Sequence, residues 1–249
     1  MLKATISKPD VFRDSITTIG ELIDEGIFKI NKNGMELTAA DRAMVALVNF
    51  KLPATLFDEF KVDEDQKIAI NISNLVSILK RLKSDDKLIL ELKGNKLEIT
   101  MENSSSRKFT LPLLEITQEE LPPVDQLDFK AKVKLKSEVL KSGIEDADIV
   151  GDSVVFEANN ERFALRAAGD ITSAELILQK GNKNLVELSA IGVVTSRYPL
   201  EYLKKMVKAS KLSEDVSIKW SKDYPIRMDF STIDKVSLGF VLAPRVSED

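Results

Sequence analysis

The chain has 249 residues and a formal net charge of −4, and its 43% hydrophobic and 31% charged residues are typical of a folded rather than a disordered protein. It contains no cysteine and no histidine, which excludes disulfides, Ser-His-Asp and Cys-His catalytic groups, and zinc sites built from these residues. Because no apolar run approaches the length of a membrane span and no secretory signal opens the chain, we expect an intracellular protein without a membrane partner.

The first predicted helix lies within residues 10–24. Its apolar positions recur at the helical period and share one side, at Phe12, Ile16, Ile19 and Ile23. Two strands follow, joined at Asn33-Gly34, a dipeptide that favours a two-residue hairpin because both turn positions need positive φ. Residues 45–52 then form an apolar strand that ends at Pro53.

A second amphipathic helix is predicted from Ser73, whose hydroxyl is a suitable N-cap. Its buried stripe consists of Leu75, Ile78, Leu79 and Leu82. The other side carries the cations Lys80, Arg81 and Lys83. Two strands over 87–92 and 97–102 come next, connected by a turn at 93–96.

Residues 114–128 interrupt this alternation. They are acidic and contain Pro122 and Pro123, which do not suit a buried central strand. We therefore predict an N-terminal domain over 1–113, an exposed connector over 114–128 and a C-terminal domain over 129–249.

Two further helices are predicted in the second half, over 137–148 and from Pro199, which suits a first helical turn. The latter buries Leu200, Leu203 and Val207. Its exposed lysines are spaced so that they share another face, at Lys204, Lys208 and Lys211.

The two halves repeat each other. Leu37-Thr38-Ala39-Ala40 recurs as Leu165-Arg166-Ala167-Ala168, 165 − 37 = 128 residues later, and in both halves a hairpin precedes this motif and an amphipathic helix precedes the hairpin. Such a repeat decides the architecture. We predict an α+β fold of two similar tandem domains, each combining helices with antiparallel strands.

Catalysis has little support in this sequence. Phosphate-loop, dinucleotide-binding and nucleophile-elbow motifs are absent. Carboxylates cluster at 63–65, 85–86 and 145–148, which suggests either a metal-dependent enzyme or solvated turns and helix ends. We expect the second, and therefore no catalytic residue, metal or cofactor.

The lysines of the second and fourth helices recur in both halves. One such basic face is usually only solvated, but recurrence on equivalent helices predicts a surface that follows phosphates without reading bases.

Several short segments carry a family resemblance. They are Asp41 after Leu37-Thr38-Ala39-Ala40, Ile78-Leu79-Lys80, Tyr202-Leu203 with Lys208-Ala209, Asp223-Tyr224-Pro225 and Leu242-Ala243-Pro244-Arg245. In this order and at these spacings, the chain resembles the sliding clamps of the proliferating cell nuclear antigen type, archaeal members above all. The resemblance covers essentially the whole chain.

The resemblance implies a non-catalytic processivity factor. Three chains would form a ring, with helices lining a central hole for duplex DNA and sheets outside. By family position Lys80 and Lys208 would face DNA, with Arg13 and Lys141 as additions. The basic helix faces add five further expected DNA-facing cations, Arg81, Lys83, Lys204, Lys205 and Lys211.

Two further sites follow from the resemblance. A pocket for hydrophobic partner motifs would take in Met44, Val45, Leu121, Pro122, Pro225, Leu242, Ala243 and Pro244. The subunit joint would take in Arg107, Lys108, Thr110 and Leu111 of one chain and Glu175, Leu176, Ile177 and Leu178 of the next.

The implied partners are duplex DNA, two identical or paralogous clamp subunits, a clamp loader, DNA polymerase, flap endonuclease and DNA ligase. The alternatives are a specialised subunit of a heterotrimeric clamp that recruits few partners, and an enzyme with a carboxylate metal site at Asp146 and Asp148.

Overall fold

The computed structural model describes residues 1–117, 121 and 126–245. The chain divides into two compact units, the first formed by 1–42, 48–121 and 232–238 and the second by 43–47, 122–231 and 239–249. In the described part of the chain, no helix is long and apolar enough to cross a membrane.

The first half alternates strands with two helices. Its elements are β1 (Leu2–Ile6), α1 (Asp10–Ile19), β2 (Glu25–Asn31), β3 (Gly34–Ala40), β4 (Ala46–Pro53), β5 (Glu59–Val62), β6 (Gln66–Asn71), α2 (Ile72–Leu79), β7 (Lys87–Lys93), β8 (Lys96–Glu102) and β9 (Ser106–Pro112). A 3-10 turn at Ala54–Leu56 follows β4.

The second half repeats this order. Its elements are β10 (Ala131–Lys136), α3 (Ser137–Val150), β11 (Ser153–Ala158), β12 (Arg162–Ala168), β13 (Ser173–Gln179), β14 (Leu185–Ala190), β15 (Val194–Pro199), α4 (Leu200–Met206), β16 (Asp215–Trp220), β17 (Ile226–Thr232) and β18 (Val236–Leu242). The predicted α+β fold of two similar tandem halves is confirmed.

Sheet topology repeats as well. In the first half the strands run β5-β1-β7-β8-β9 in one sheet and β6-β2-β3-β4 in another, and in the second half the matching runs are β14-β10-β16-β17-β18 and β15-β11-β12-β13. The strands of the hairpin β2–β3 pair antiparallel, as do those of its counterpart β11–β12. The repeated motif Leu-X-Ala-Ala therefore ends the second strand of an equivalent hairpin in each half.

Each long helix covers its sheets with one apolar stripe. On α1 this stripe is Phe12, Ile16 and Ile19, and the same offset of 140 − 12 = 128 gives Leu140, Ile144 and Ala147 on α3. All six side chains are buried. Helix periodicity thus predicts which side of each helix faces the core.

The first hairpin has a different turn from the one predicted. Asn31 pairs with Gly34, so the turn residues are Lys32 and Asn33, and neither has positive φ. The Asn31 side chain accepts a hydrogen bond from the Asn33 amide at 2.8 Å and closes the turn. Gly34 is needed after the turn, because a Cβ there would lie 2.1 Å from the Leu52 carbonyl oxygen.

Two helix predictions are also corrected at the ends. Asn71, not Ser73, caps α2 by accepting a hydrogen bond from the Asn74 amide at 2.8 Å. The fourth helix changes to a 3-10 helix over Val207–Leu212. The α-helical spacing predicted for Lys204, Lys208 and Lys211 therefore does not hold beyond Met206.

A buried carboxylate connects the end of α2 to β9. Asp86 is fully buried and accepts hydrogen bonds from the Lys83 amide at 2.7 Å and from the Arg107 guanidinium. Arg107 also donates to the Arg81 carbonyl at 3.0 Å. Burial by itself would raise the pKa of Asp86, but these hydrogen bonds outweigh it and hold this pKa below its usual range.

We expect Asp86→Asn to lower the free energy of unfolding at pH 7 by about 3 kcal/mol, because Arg107 loses its anionic partner in a buried site. Since the folded-state pKa of Asp86 is depressed, its contribution is present above pH ~4 and is lost as the pH falls through the folded-state value. Urea unfolding of both proteins at one chain concentration, between pH 7 and pH 3, measures this. A gap that does not narrow at low pH would contradict the assignment.

Candidate nucleic-acid interface and docking surface

The first pair of predicted DNA-facing cations lies on α1 and α3. Arg13 and Lys141 are separated by the repeat offset, and each forms an ion pair with the carboxylate three residues before it. The Arg13 guanidinium is 2.9 Å from Asp10, and the Lys141 ammonium is 3.5 Å from Glu138. Both cations are half-buried. Their positive charge is therefore partly offset by their own helix.

A second group of cations follows the buried stripes of α2 and α4. Lys80 and Lys208 are separated by 128 residues, as are Lys83 and Lys211, and all four are exposed. Lys80 is the C-cap of α2, and cations at a helix C-terminus are favoured by the helix dipole. Arg81, which has no basic counterpart at Ala209, is also exposed.

Two further lysines occur only in the second half. The Lys204 ammonium lies 2.9 Å from the Asp148 carboxylate, which joins the last turns of α4 and α3. The Lys205 ammonium lies 5.5 Å from the centre of the Tyr202 ring, within range of a cation–π contact. Sequence spacing did not reveal the Asp148 pair, because its members are 56 residues apart.

Two of the predicted docking segments of the second unit, one at Val45 and one at Ala243, are joined by a hydrogen bond. The Ala243 amide donates to the Val45 carbonyl at 2.9 Å. Met44, beside Val45, is 51% exposed and has φ of 56°, a left-handed conformation uncommon for a side chain of this size. Pro244 and Pro225 are half-buried. This part of the chain offers exposed and half-buried apolar atoms to a partner.

Leu242 differs from these neighbours because it is completely buried. Its side chain therefore contributes no exposed surface to a docking pocket. Pro122 lies outside the described residues.

Leu121 lines a cleft in the first unit, with a volume of about 370 Å³. Its other walls come from the loop before β2 and the first residues of β2, from the end of β3 and from residues 116–117, which include Gly26, Ala40 and Ile116. Sequence analysis missed this cleft because its walls are almost 100 residues apart in the chain.

Two long strands have a free side. β9 and β13 each contain seven residues and each stands at the end of its sheet order, so within the described part of the chain each is paired on one side. Thr110 and Ile177 are exposed on these strands, Leu176 is half-buried, and Leu111 and Leu178 face the core. Free strand sides are templates for pairing with another chain.

The charged residues of these edges already have partners within the chain. The Lys108 ammonium lies 2.7 Å from Glu98 on β8, and Glu175 pairs with Arg166 on β12. Arg107 turns towards Asp86 and the end of α2. Among the described residues, no cluster of three or more potential ligands is arranged to hold a metal ion.

Two known family models match this chain. The family model of the N-terminal domain of proliferating cell nuclear antigen (PCNA) matches residues 1–120, and the family model of the C-terminal domain matches residues 123–245. This chain belongs to the PCNA family. The resemblance predicted from its short motifs is confirmed.

Relatives of this PCNA-family chain include archaeal proteins of similar length. It is 39% identical to the DNA polymerase sliding clamp of Thermococcus gammatolerans and 36% identical to that of Pyrococcus furiosus, in both cases over 239 residues that cover 95% of each chain.

Solved structures agree over nearly the whole fold. PCNA from Thermococcus kodakaraensis superposes with a TM-score of 0.89 at 27% identity, covering 98% of this chain and 100% of the other. A chain of the PCNA2–PCNA3 complex from Sulfolobus tokodaii gives 0.90 at 27% identity, covering 98% and 99%.

Because Leu242 of this PCNA-family chain is buried and Met44 is exposed, substitution of the two residues should affect stability differently. We expect Leu242→Ala to lower the free energy of unfolding by about 2–5 kcal/mol, because it opens a cavity in a closed core. Met44→Ala, at an exposed position, should change it by less than about 0.5 kcal/mol. Urea unfolding at equal chain concentration compares the two. Similar losses in both variants would contradict this division.

Proposed function

We propose that this chain is a DNA polymerase sliding clamp, a non-catalytic processivity factor that encircles duplex DNA as a ring of three subunits. The observation that carries the proposal is the duplication of exposed cations at equivalent positions, Lys80 with Lys208 and Lys83 with Lys211, in a chain whose net charge is −4. Family membership and the identity to archaeal clamps support it.

The mechanism would be topological. Contacts between exposed lysines and phosphates attract the ring to DNA without reading bases. Because a lysine can exchange one phosphate for the next with little change in free energy, the ring can move along the duplex. Retention then depends on ring closure rather than on tight binding. The sequence carries no phosphate-loop motif, so a separate ATP-driven clamp loader would place the ring on DNA.

We expect Lys80→Glu combined with Lys208→Glu to weaken binding of the ring to a duplex oligonucleotide at least tenfold at low salt, because the change replaces phosphate attraction with repulsion. Fluorescence anisotropy over a salt series measures this, and light scattering checks that assembly is retained. Lys51→Glu combined with Lys219→Glu is the matched control, since these lysines lie on β4 and β16 rather than on the helices. Equal losses in both double variants would contradict the lining assignment.

The subunit joint would use β9 and β13. On β7–β9, Glu98 lies between Lys93 and Lys108, at 2.7 Å from each ammonium. On β11–β13, Arg166 lies between Glu157, at 2.6 Å, and Glu175. At the free edge, the first row of charges therefore ends in the cation Lys108 on β9, and the second row ends in the anion Glu175 on β13. Pairing the edge of one copy with the other edge of a second copy would continue the alternation of charge.

Light scattering tests this joint. Wild type should have a mass near three times 27.8 kDa. Lys108→Glu and Glu175→Lys should each raise the concentration at which rings dissociate, because each places like charges across the joint. The double swap should restore assembly, and failure of that rescue would contradict the pairing. A wild-type mass of one subunit would instead favour a heterotrimeric clamp with paralogous partners.

Recruitment would occur at the exposed Met44 and the half-buried Val45, Pro225, Ala243 and Pro244, with Leu121 and Pro122 of the connector. Exposed apolar surface rimmed by charge commonly marks a protein interaction site. We propose that DNA polymerase, flap endonuclease and DNA ligase bind there through short hydrophobic motifs, inside the cell.

We also propose that the chain consists of an N-terminal domain over 1–113 and a C-terminal domain over 129–249, joined by a connector over 114–128.

A further inference from the structure

The ion pair between Asp148 and Lys204 removes one cation from the basic face of the second unit. Lys204 belongs to the last turn of α4 and Asp148 to the last turns of α3. Their charged atoms are 2.9 Å apart. Lys204 is exposed, but its ammonium is engaged by a carboxylate of the same chain.

The first unit has no counterpart of this pair. The repeat offset places Gly20 at 148 − 128 and Val76 at 204 − 128. There the two helices approach so closely that a Cβ on Gly20 would lie 2.7 Å from the Val76 side chain. The position is filled by an apolar contact in one half and by an ion pair in the other. A lysine at this position is therefore not required for the two helices to pack.

Asp148 also stands where it does not help its own helix. The C-terminal end of a helix carries partial negative charge, and an aspartate there is unfavourable. The last turn of α3 has no basic residue of its own to offset it. Helix stability therefore does not explain the carboxylate, whereas its contact with Lys204 does.

We propose that Asp148 is a positioning residue that holds Lys204 away from DNA phosphates and so weakens the grip of the clamp on duplex DNA. This inference rests on the proposed function. A phosphate that reaches Lys204 must displace the carboxylate, so the new contact adds little net binding free energy. A ring that must move along DNA benefits from weak, exchangeable contacts. Asp148 would keep one cation per subunit from contributing fully to phosphate binding.

The expected size of the effect follows from exposure. The side chains of Lys204 and Asp148 are 43% and 37% exposed, and an ion pair of this kind has a small free energy in water. Release of Lys204 should therefore raise duplex affinity about two- to fivefold at low salt. It should also steepen the plot of log affinity against log salt concentration by about 0.9 for each additional phosphate that the ring neutralises.

The experiment compares Asp148→Asn with Asp146→Asn in the full-length ring. Asp146 is exposed on the same helix and makes no ion pair with the residues that the structure describes, so its variant controls for the general loss of negative charge. Each change is also made with Lys204→Gln, which completes a double-mutant cycle. Duplex affinity is read by fluorescence anisotropy over a salt series, and thermal unfolding is recorded for every variant.

The proposal expects Asp148→Asn to increase duplex affinity in wild type but not with Lys204→Gln, whereas any increase from Asp146→Asn is the same in both backgrounds. An increase that survives Lys204→Gln, or a loss of thermal stability with unchanged affinity, would overturn it. Absence of duplex binding by the wild-type ring would instead count against the proposed function itself.

Discussion

Burial of one apolar stripe per helix determines where this chain can place its charges. Because Phe12, Ile16 and Ile19 must face the sheets, Arg13 is directed to the side of α1. The same packing around Leu140 and Ile144 directs Lys141. The hydrophobic core and the basic positions are thus two results of one helical period. A duplicated sequence repeats both together, which gives a net-acidic protein a repeated set of outward cations.

Much of this arrangement could be predicted from the sequence. Periodicity located the helices and most strands, and the offset of 128 residues located equivalent positions in the two halves. Local chemistry was less decisive. Asn71 and Ser73 are both suitable caps, and the choice depends on the pairing of Asn71 with Glu25, which fixes where β6 ends. The change to a 3-10 helix at Val207 and the ion pairs of Lys204 and Arg107 depend on tertiary contacts that no local pattern contains.

The candidate site shows the same division. Sequence position predicts the cations, but only the structure shows that one of them, the exposed Lys204, is paired with a carboxylate of the same chain. It also separates Leu242, which is core, from Met44, which is surface. Residue type predicts the kind of contact a position can make. Burial and neighbours decide whether that contact is still available to a partner.

The free sides of β9 and β13 also have a consequence for a subunit that is not yet part of the proposed ring. The ring that we propose would cover both strands, whereas a separated subunit would leave them open, and open strand edges of seven residues favour pairing with unrelated chains and aggregation. The exposed charges Lys108 and Glu175 on these strands oppose such pairing unless the incoming strand carries the opposite charge at the same place. The residues that we propose select the correct neighbour would therefore also limit aggregation of the separated subunit before the proposed ring forms.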